Sequence, residues 1–164
     1  MRCRPLCAAV LLTLVGCGFH LRGSGVETSV EAVYVRAAPR VDIGPQLARS
    51  LRQSHVNVLT EPDPKVVTIV LLEQQENRRT VTTTQEAQAA EYRQEFGVRY
   101  QIIGPDEVEL VADRWARTSR ITRLDRNNLV GYSQEQVLVR NEMALDLVQQ
   151  ILRSLAAATR TTPR

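Results

Sequence analysis

Residues 91–103 read EYRQEFGVRYQII, and their polar and apolar side chains alternate along the chain. The residues of one face are mainly aromatic or aliphatic: Tyr92, Phe96, Val98, Tyr100 and Ile102. The residues of the other face are charged or polar: Glu91, Arg93, Glu95, Arg99 and Gln101. A period of two is typical of a β-strand that packs one face against a core. The stretch therefore predicts a long strand that is apolar on one side and polar on the other.

The neighbouring segments extend this strand into a sheet. Residues 66–72 are almost wholly apolar and rich in β-branched side chains, which predicts a central strand that is buried on both faces. The strand is expected to continue through polar residues to Thr84, and Gln85–Ala90 would form the turn into residues 91–103. The turn Gly104-Pro105-Asp106 leads into another extended segment, residues 108–124. Connections this short predict three consecutive antiparallel strands.

The remaining segments add two helices and shorter strands. Residues 30–36 and 56–59 resemble strands, and residues 45–55, with Pro45 in the first turn, predict a helix. Ser133 and Gln136 form a capping-box pattern, which predicts that a helix of about 25 residues begins at Ser133. A broad apolar stripe runs along this helix through Val137, Leu138, Ala144, Leu145, Val148, Ile151, Leu152 and Leu155. We expect an α/β domain (an α+β sandwich), in which two helices pack on one mixed sheet of about four strands.

The first residues have the pattern of an export signal. Arg2 and Arg4 precede a short apolar stretch, which is followed by Leu14-Val15-Gly16-Cys17. The stretch is shorter than the roughly 20 apolar residues that a membrane-spanning helix needs. The four-residue ending resembles the bacterial lipobox, in which the cysteine is acylated after cleavage. We therefore predict a signal peptide over residues 1–16 and lipid attachment at Cys17; the alternative is an ordinary signal peptide that happens to contain a cysteine.

Cleavage at this position would change the character of the chain. It would leave 148 residues with 19 basic and 18 acidic side chains, a net charge of +1, which argues against nucleic acid as a partner. Cys3 and Cys7 would leave with the signal, so Cys17 could form no disulfide within the chain. We divide the remainder into a lipidated tether (17–29), a single domain (30–158) and a flexible tail (159–164).

The sequence contains no constellation typical of an enzyme. His20 lies in the tether and His55 at the end of the first helix, where the helix dipole favours a basic residue. There is no nucleophile elbow, no phosphate-binding glycine loop and no clustered set of metal ligands. We predict a protein without catalytic activity, metal or cofactor, whose only added group is the N-acyl and S-diacylglycerol lipid on Cys17.

One charge pattern stands out. Arginines recur at every third position from 114 to 126: Arg114, Arg117, Arg120, Arg123 and Arg126. On a strand, this spacing sends successive side chains to alternate faces. The charges could protect an edge strand from unwanted pairing. Alternatively, together with Arg78, Arg79 and Arg93, they could contact an anionic surface, either a phosphorylated glycolipid or an acidic protein wall.

Residues 73–91 contain one large aliphatic side chain, that of Val81. A stretch of this composition cannot form a hydrophobic core of its own. It is either a mobile hairpin in water or a polar strand pair that enters a polar, enclosed partner. The lumen of a transmembrane β-barrel is polar and would suit such a strand pair.

The residues after the lipobox, Cys17-Gly18-Phe19-His20-Leu21-Arg22-Gly23, resemble the opening of the LPS-assembly lipoprotein family, LptE. The order of elements and the Ala90-Glu91-Tyr92 entry to the long strand are similar as well. The resemblance implies two helices on a four-stranded sheet. It also implies a non-enzymatic partner and plug of the LptD-type β-barrel that inserts lipopolysaccharide into the outer leaflet, required for barrel assembly.

The same resemblance suggests a location and partners. A heterodimer with the barrel is implied, with Cys17 anchored on the periplasmic side of the outer membrane and the domain inside the barrel lumen. The residue after the cysteine is Gly18 and not an aspartate, and in this respect the chain resembles lipoproteins that are sent to the outer membrane. The resemblance also makes lipopolysaccharide a possible ligand. Some relatives are thought to bind it through basic residues that residues 85–90 and Tyr132-Ser133 of this chain lack. The arginine series is therefore the candidate lipopolysaccharide contact in this chain. The alternative is a periplasmic lipid carrier or chaperone lipoprotein.

Overall fold

The computed structural model describes residues 30–83, 89–123 and 129–161. These residues form five strands and two long helices, with one short 3-10 helix (Pro105–Glu107) between the last two strands. In chain order the main elements are β1 (Ala32–Ala37), α1 (Gly44–Gln53), β2 (Asn57–Leu59), β3 (Val67–Thr83), β4 (Ala89–Ile103), β5 (Glu109–Arg123) and α2 (Leu129–Thr161).

The strands form one mixed sheet in the order β2-β1-β3-β4-β5. β1 pairs in parallel with both β2 and β3, whereas β3, β4 and β5 are successively antiparallel. The α/β class and the antiparallel arrangement of the three long strands are therefore confirmed. The sheet has five strands rather than about four, because the short β2 pairs with β1 over three residues.

Both helices contribute to one hydrophobic core on one face of the sheet. The predicted apolar face of β4 supplies Phe96, Val98, Tyr100 and Ile102, which are at most 3% exposed. β3 supplies Ile69 and Leu71, and α2 supplies the stripe Met143, Ala144, Leu147, Val148, Ile151, Leu152 and Leu155. On the opposite side of β3, Val70 is buried but Thr68 and Leu72 are only partly buried, so the prediction of a strand buried on both faces holds at Val70 alone. Burial of each large aliphatic side chain contributes about 1.5–3 kcal/mol to folding.

α1 ends in a Schellman motif. The amide of Val56 donates to the carbonyl of Leu51, and the amide of His55 donates to the carbonyl of Arg52. His55 adopts a left-handed conformation, with φ of 62°, which reverses the chain direction. Val56 and Leu51 are both buried, so the motif also adds an apolar contact and directs the chain into β2.

α2 differs from the expectation at both ends. It begins at Leu129, four residues before Ser133, so the predicted capping box lies inside the helix and does not start it. It also continues to Thr161, which makes residues 159–161 helical rather than part of a tail. Val137, Leu138 and Leu145, which the predicted stripe included, are exposed by 60%, 63% and 46%. They lie outside the stripe formed by Met143 and the buried residues that follow it.

Several predictions concern residues outside the described ranges. They are the signal peptide, the tether with the lipid site Cys17, most of the turn at 85–90, Arg126 and residues 162–164. Within the described part of the chain, neither helix combines the length and the apolar character needed to cross a membrane.

Candidate interaction surface

The three long strands and α2 continue well past the hydrophobic core. We call this part the polar extension; it comprises residues 73–83, 89–95 and 117–123 of the strands and residues 129–140 of α2. Among its side chains that the structure describes, only Thr122 is buried, and no large apolar side chain is. Its elements are therefore held together by strand pairing and by polar contacts.

On the helix side of the extension, Arg78 connects β3, β4 and α2. Its guanidinium lies 3.7 Å from the ring centroid of Tyr92 and 5.7 Å from that of Tyr132, and it donates a hydrogen bond to the Tyr132 hydroxyl. One turn further along α2, the amide of Gln94 donates to the side-chain oxygen of Gln136. Planar polar side chains thus occupy the positions that apolar side chains fill in the core.

Arg140 forms the boundary between the extension and the core. It donates to Glu76 on β3 at 2.7 Å and to Asp42, just before α1, at 2.6 Å, and its guanidinium lies 5.4 Å from the Phe96 ring centroid. Gln74 closes a ring of contacts, because it accepts from the backbone amide of Asp42 and donates to Glu76. The hydrogen bond to Glu76 makes the largest contribution and raises the pKa of Arg140; desolvation opposes it, and the weaker contribution of the hydrogen bond to Asp42 raises the pKa further.

No described element covers the other face of the extension, which we call the open face. It carries paired charges. Arg79 lies 3.9 Å from Glu95, and Arg123 lies 3.0 Å from Glu91. The hydrogen bond from Arg123 lowers the pKa of Glu91, with a further contribution from a hydrogen bond donated by Thr82.

Two arginines on this face have no carboxylate partner among the described residues. Arg93 makes neither a hydrogen bond nor an ion pair there, and it lies directly opposite Arg79 in the β3–β4 register. Arg117 lies opposite Gly97 and stacks 4.7 Å above the ring of Trp115. The absence of a side chain at Gly97 gives the indole room, since a Cβ there would lie 3.2 Å from Trp115 Cε3. The open face therefore has a small positive excess centred on β4 and β5.

The arginines predicted as one contact surface are divided between the two faces. Arg79, Arg93, Arg117 and Arg123 lie on the open face. Arg78, Arg114 and Arg120 lie on the helix side, where Arg120 pairs with Asp146 of α2 at 2.5 Å. The arginines are divided in this way because side chains three positions apart on a strand point to opposite faces of the sheet.

Arg140 was not among the predicted site residues. A signal for it was present in the sequence, because Arg140 precedes Ala144, Leu147 and Ile151 at helical spacing and so continues the buried stripe of α2. A basic residue in line with an apolar stripe makes a carboxylate on a facing element a candidate partner.

Comparisons with known proteins identify the family. The profile of the LptE family, described as lipopolysaccharide-assembly, matches residues 30–155. The chain belongs to the LptE family. A curated LptE, named LPS-assembly lipoprotein, from Photorhabdus laumondii is 30% identical over 90% of this chain and 80% of its own length. The protein of the same name from Pectobacterium atrosepticum is 28% identical over the same shares of the two chains.

Solved structures of lipoproteins share the fold. Lipoprotein B from Nitrosomonas europaea superposes with a TM-score of 0.72 at 27% identity, over 88% of this chain and 94% of that one. The rare lipoprotein B from Shewanella oneidensis superposes with a TM-score of 0.67 at 18% identity, over 77% and 94%, and so supports the fold alone. LptE proteins have a non-enzymatic role, so family membership confirms the prediction that this chain is not an enzyme. The described residues also contain no group of three or more potential metal ligands.

Proposed function

We propose that this LptE-family chain is the lipoprotein partner and plug of the outer-membrane β-barrel that inserts lipopolysaccharide. In this proposal the domain occupies the barrel lumen, supports assembly of the barrel and takes part in delivery of lipopolysaccharide to the outer leaflet. The single observation that carries the proposal is the polar extension, three strands and a helix held together without an apolar core.

The composition of the extension matches the interior of a barrel. The luminal side of a transmembrane barrel is polar, so a protein that fills it needs polar side chains on its outer surfaces. Here the open face carries ion pairs together with the unpaired Arg93 and Arg117, and the helix side is joined by Arg78 and Gln94. Polar contacts of this kind favour one defined alignment of two partners and make their binding specific. The two unpaired arginines complement a barrel wall that carries carboxylates.

The anchor belongs to the same proposal. A cysteine that carries several acyl chains binds a membrane firmly, whereas one chain binds only marginally. Cys17 would therefore hold the domain on the periplasmic side of the outer membrane, and residues 18–29 would connect it to β1.

Copurification from cells tests the partnership. The tagged full chain, extracted in mild detergent, should be recovered in a 1:1 complex with one large barrel protein, identified by mass spectrometry. Recovery of the chain as a free monomer under these conditions would contradict the proposal.

Charge reversal on the open face locates the contact. The double variant Arg93→Glu and Arg117→Glu should reduce recovery of the barrel about tenfold, because two cations would become like charges facing a carboxylate-bearing wall. The matched control is Arg49→Glu with Arg52→Glu on the exposed side of α1, which applies the same change of charge outside the extension. Equal recovery of the barrel by both double variants would mean that the open face of the extension is not the contact.

Substitution of the anchor separates lipid attachment from docking. Cys17→Ala should abolish incorporation of labelled palmitate, because the thiol that receives the lipid is gone. The barrel should still be recovered with this variant, since the contacts proposed above lie in the folded domain. Complete loss of the barrel would show that the lipid or the tether carries the contact instead.

A further inference from the structure

β5 is the outermost strand at one side of the sheet, and among the described residues it pairs with β4 alone. The opposite edge is formed by β2, which pairs with β1 over three residues. An edge that short offers little to another strand, whereas β5 pairs with β4 without irregularity from Arg114 to Arg123 and contains no proline. The outer edge of β5 therefore has the regular geometry to which a further strand can be added.

Two side-chain contacts identify the backbone groups that lie on this edge. Gln150 of α2 donates to the carbonyl of Arg117 at 3.1 Å, and the guanidinium of Arg120 donates to the carbonyl of Ser119 at 3.1 Å. In an antiparallel pair, the N–H and C=O of one residue point to the same side, and those of the next residue point to the other side. The odd-numbered residues from 117 to 123 therefore direct their amides away from β4, to a side on which no described strand accepts from them.

The end of β5 beyond these contacts is accessible. Tyr132 and Gln136, in the first turns of α2, contact β3 and β4. α2 contacts β5 further along, where Asp146 pairs with Arg120. Ile121 on the open face is 56% exposed. A strand added along residues 117–123 would cover this side chain, because facing residues on neighbouring strands pack against each other.

The charge of β5 determines the kind of strand that fits. Residues 114–123 contain four arginines and no acidic residue. Arg120 and Arg123 have carboxylate partners, whereas Arg117 has none among the described residues. A second copy of this chain would bring two such strands side by side, and like charges on facing strands are destabilising. A segment that carries carboxylates would instead gain attraction along the whole edge.

We propose that the outer edge of β5, from Arg117 to Arg123, binds an extended acidic segment of another protein as a sixth strand of the sheet. Backbone hydrogen bonds to the odd-numbered residues supply the affinity, and carboxylates beside Arg117 and Arg123 supply the selectivity. In the bound state, backbone amides replace the side chains of Gln150 and Arg120 as donors to the two edge carbonyls. The site lies on the domain alone, so it does not depend on the proposed barrel partnership and is tested without the barrel.

A synthetic nonapeptide, acetyl-TETVTTTET-amide, tests the proposal in NMR titrations of the full chain purified in dodecyl maltoside. Paired antiparallel to β5, it places glutamates opposite Arg117 and Arg123 and its valine opposite Ile121. One control peptide has lysine in place of both glutamates, and the other is methylated at the two central backbone nitrogens that face β5. Each control should bind at least about tenfold more weakly, because the first repels the arginines and the second lacks donors to the edge.

Three results of these titrations would overturn the proposal. Equal binding of the methylated peptide would mean that charge attraction alone holds the ligand. Equal binding of the lysine peptide would mean that the edge does not prefer an acidic segment. No detectable binding of the acidic peptide would mean that the edge does not accept a strand.

Amide hydrogen exchange locates the added strand. Saturating peptide should slow exchange at least about tenfold at Ser119 and Ile121, whose amides point outward. Exchange at Thr118 and Arg120 should stay unchanged, because these amides already bond to β4. Equal slowing at both sets would indicate general stabilisation and would contradict the proposal. Slow exchange at Ser119 and Ile121 without peptide would reject it, because a second copy or another segment of this chain would already occupy the edge; light scattering would distinguish these two occupants.

A proline substitution tests the same edge from the side of the protein. Ser119→Pro removes an outward N–H and adds a ring there, so the fold should persist while peptide affinity falls at least about tenfold. The matched control Ser119→Ala keeps the N–H and should bind the peptide with unchanged affinity. Thr118→Pro removes a donor to β4 and should lower stability to urea. Equal destabilisation by the two prolines would show that the outer edge is wrongly assigned, and unchanged peptide affinity in folded Ser119→Pro would equally overturn the proposal.

Discussion

The same elements, β3, β4, β5 and α2, pass through two regions that are stabilised differently. In the core, Leu71, Val98 and Leu147 are fully buried, and stability comes mainly from removal of apolar surface from water. In the polar extension, Arg78 lies between two tyrosine rings and Gln94 contacts Gln136. Polar contacts of this kind contribute modest net free energy but strongly constrain geometry. One sheet and one helix can therefore combine a stable domain with a surface suited to a polar partner.

The largest expected difference between the two regions concerns leucines on α2. Leu147→Ala should lower the free energy of unfolding by about 2–5 kcal/mol, because it leaves a cavity at a position with no exposure. Leu138→Ala, the matched control on the same helix, should change it by less than about 0.5 kcal/mol, because that side chain is 63% exposed. Urea denaturation of both variants measures the difference. Similar losses would mean that the first part of α2 is buried against a surface that the described residues do not include.

An intermediate effect is expected at the boundary between the regions. Arg140→Gln should cost about 1 kcal/mol, because two ion pairs are lost but the residues involved are partly exposed to solvent. Hydrogen exchange should become faster at residues 131–139 and remain unchanged at residues 147–155, since Arg140 ties this end of α2 to β3. Arg93→Gln is the control, because Arg93 has no hydrogen-bond or ion-pair partner among the described residues. If exchange became faster along the whole helix, the two regions would form one cooperative unit.

The smallest effect concerns pH. The pKa of Glu91 is lowered by its hydrogen bond from Arg123, so the carboxylate is favoured in the folded state. The stabilisation should be complete above the unfolded pKa of about 4.3 and should be lost as the pH falls through the lower folded value. Glu91→Gln should therefore lose less stability than the parent between neutral and acidic pH, as measured by urea denaturation at each pH. Identical losses would show that the Glu91–Arg123 contact does not persist in solution.

The periodic parts of the fold were predictable from the sequence. The alternation of residues 91–103 predicted the buried face of β4, and the continuous apolar run predicted the part of β3 that enters the core. These signals are strong because burial must repeat with the geometry of the strand. The start of α2 was not predictable in this way. Tyr132 and Gln136 are in contact with Arg78 and Gln94, and these long-range contacts accompany a helix start that the local capping pattern did not indicate.

The candidate site was predicted only in part. The arginine spacing correctly implied side chains on alternate faces, but it could not show that Arg120 pairs with Asp146 while Arg114 has no such partner among the described residues. That distinction depends on which helix covers the sheet and at what register. It is a property of tertiary packing, which a spacing of three along one strand does not encode.

The length of α2 has a consequence for the shape of the protein. Its 33 residues correspond to about 50 Å along the helix axis, and the 17 residues of β3 to about 56 Å. A bilayer with its head groups is roughly 40–45 Å thick. Both elements are therefore longer than a bilayer is thick. If the domain occupies the lumen of a barrel, as proposed, the enclosing protein has to accommodate this length.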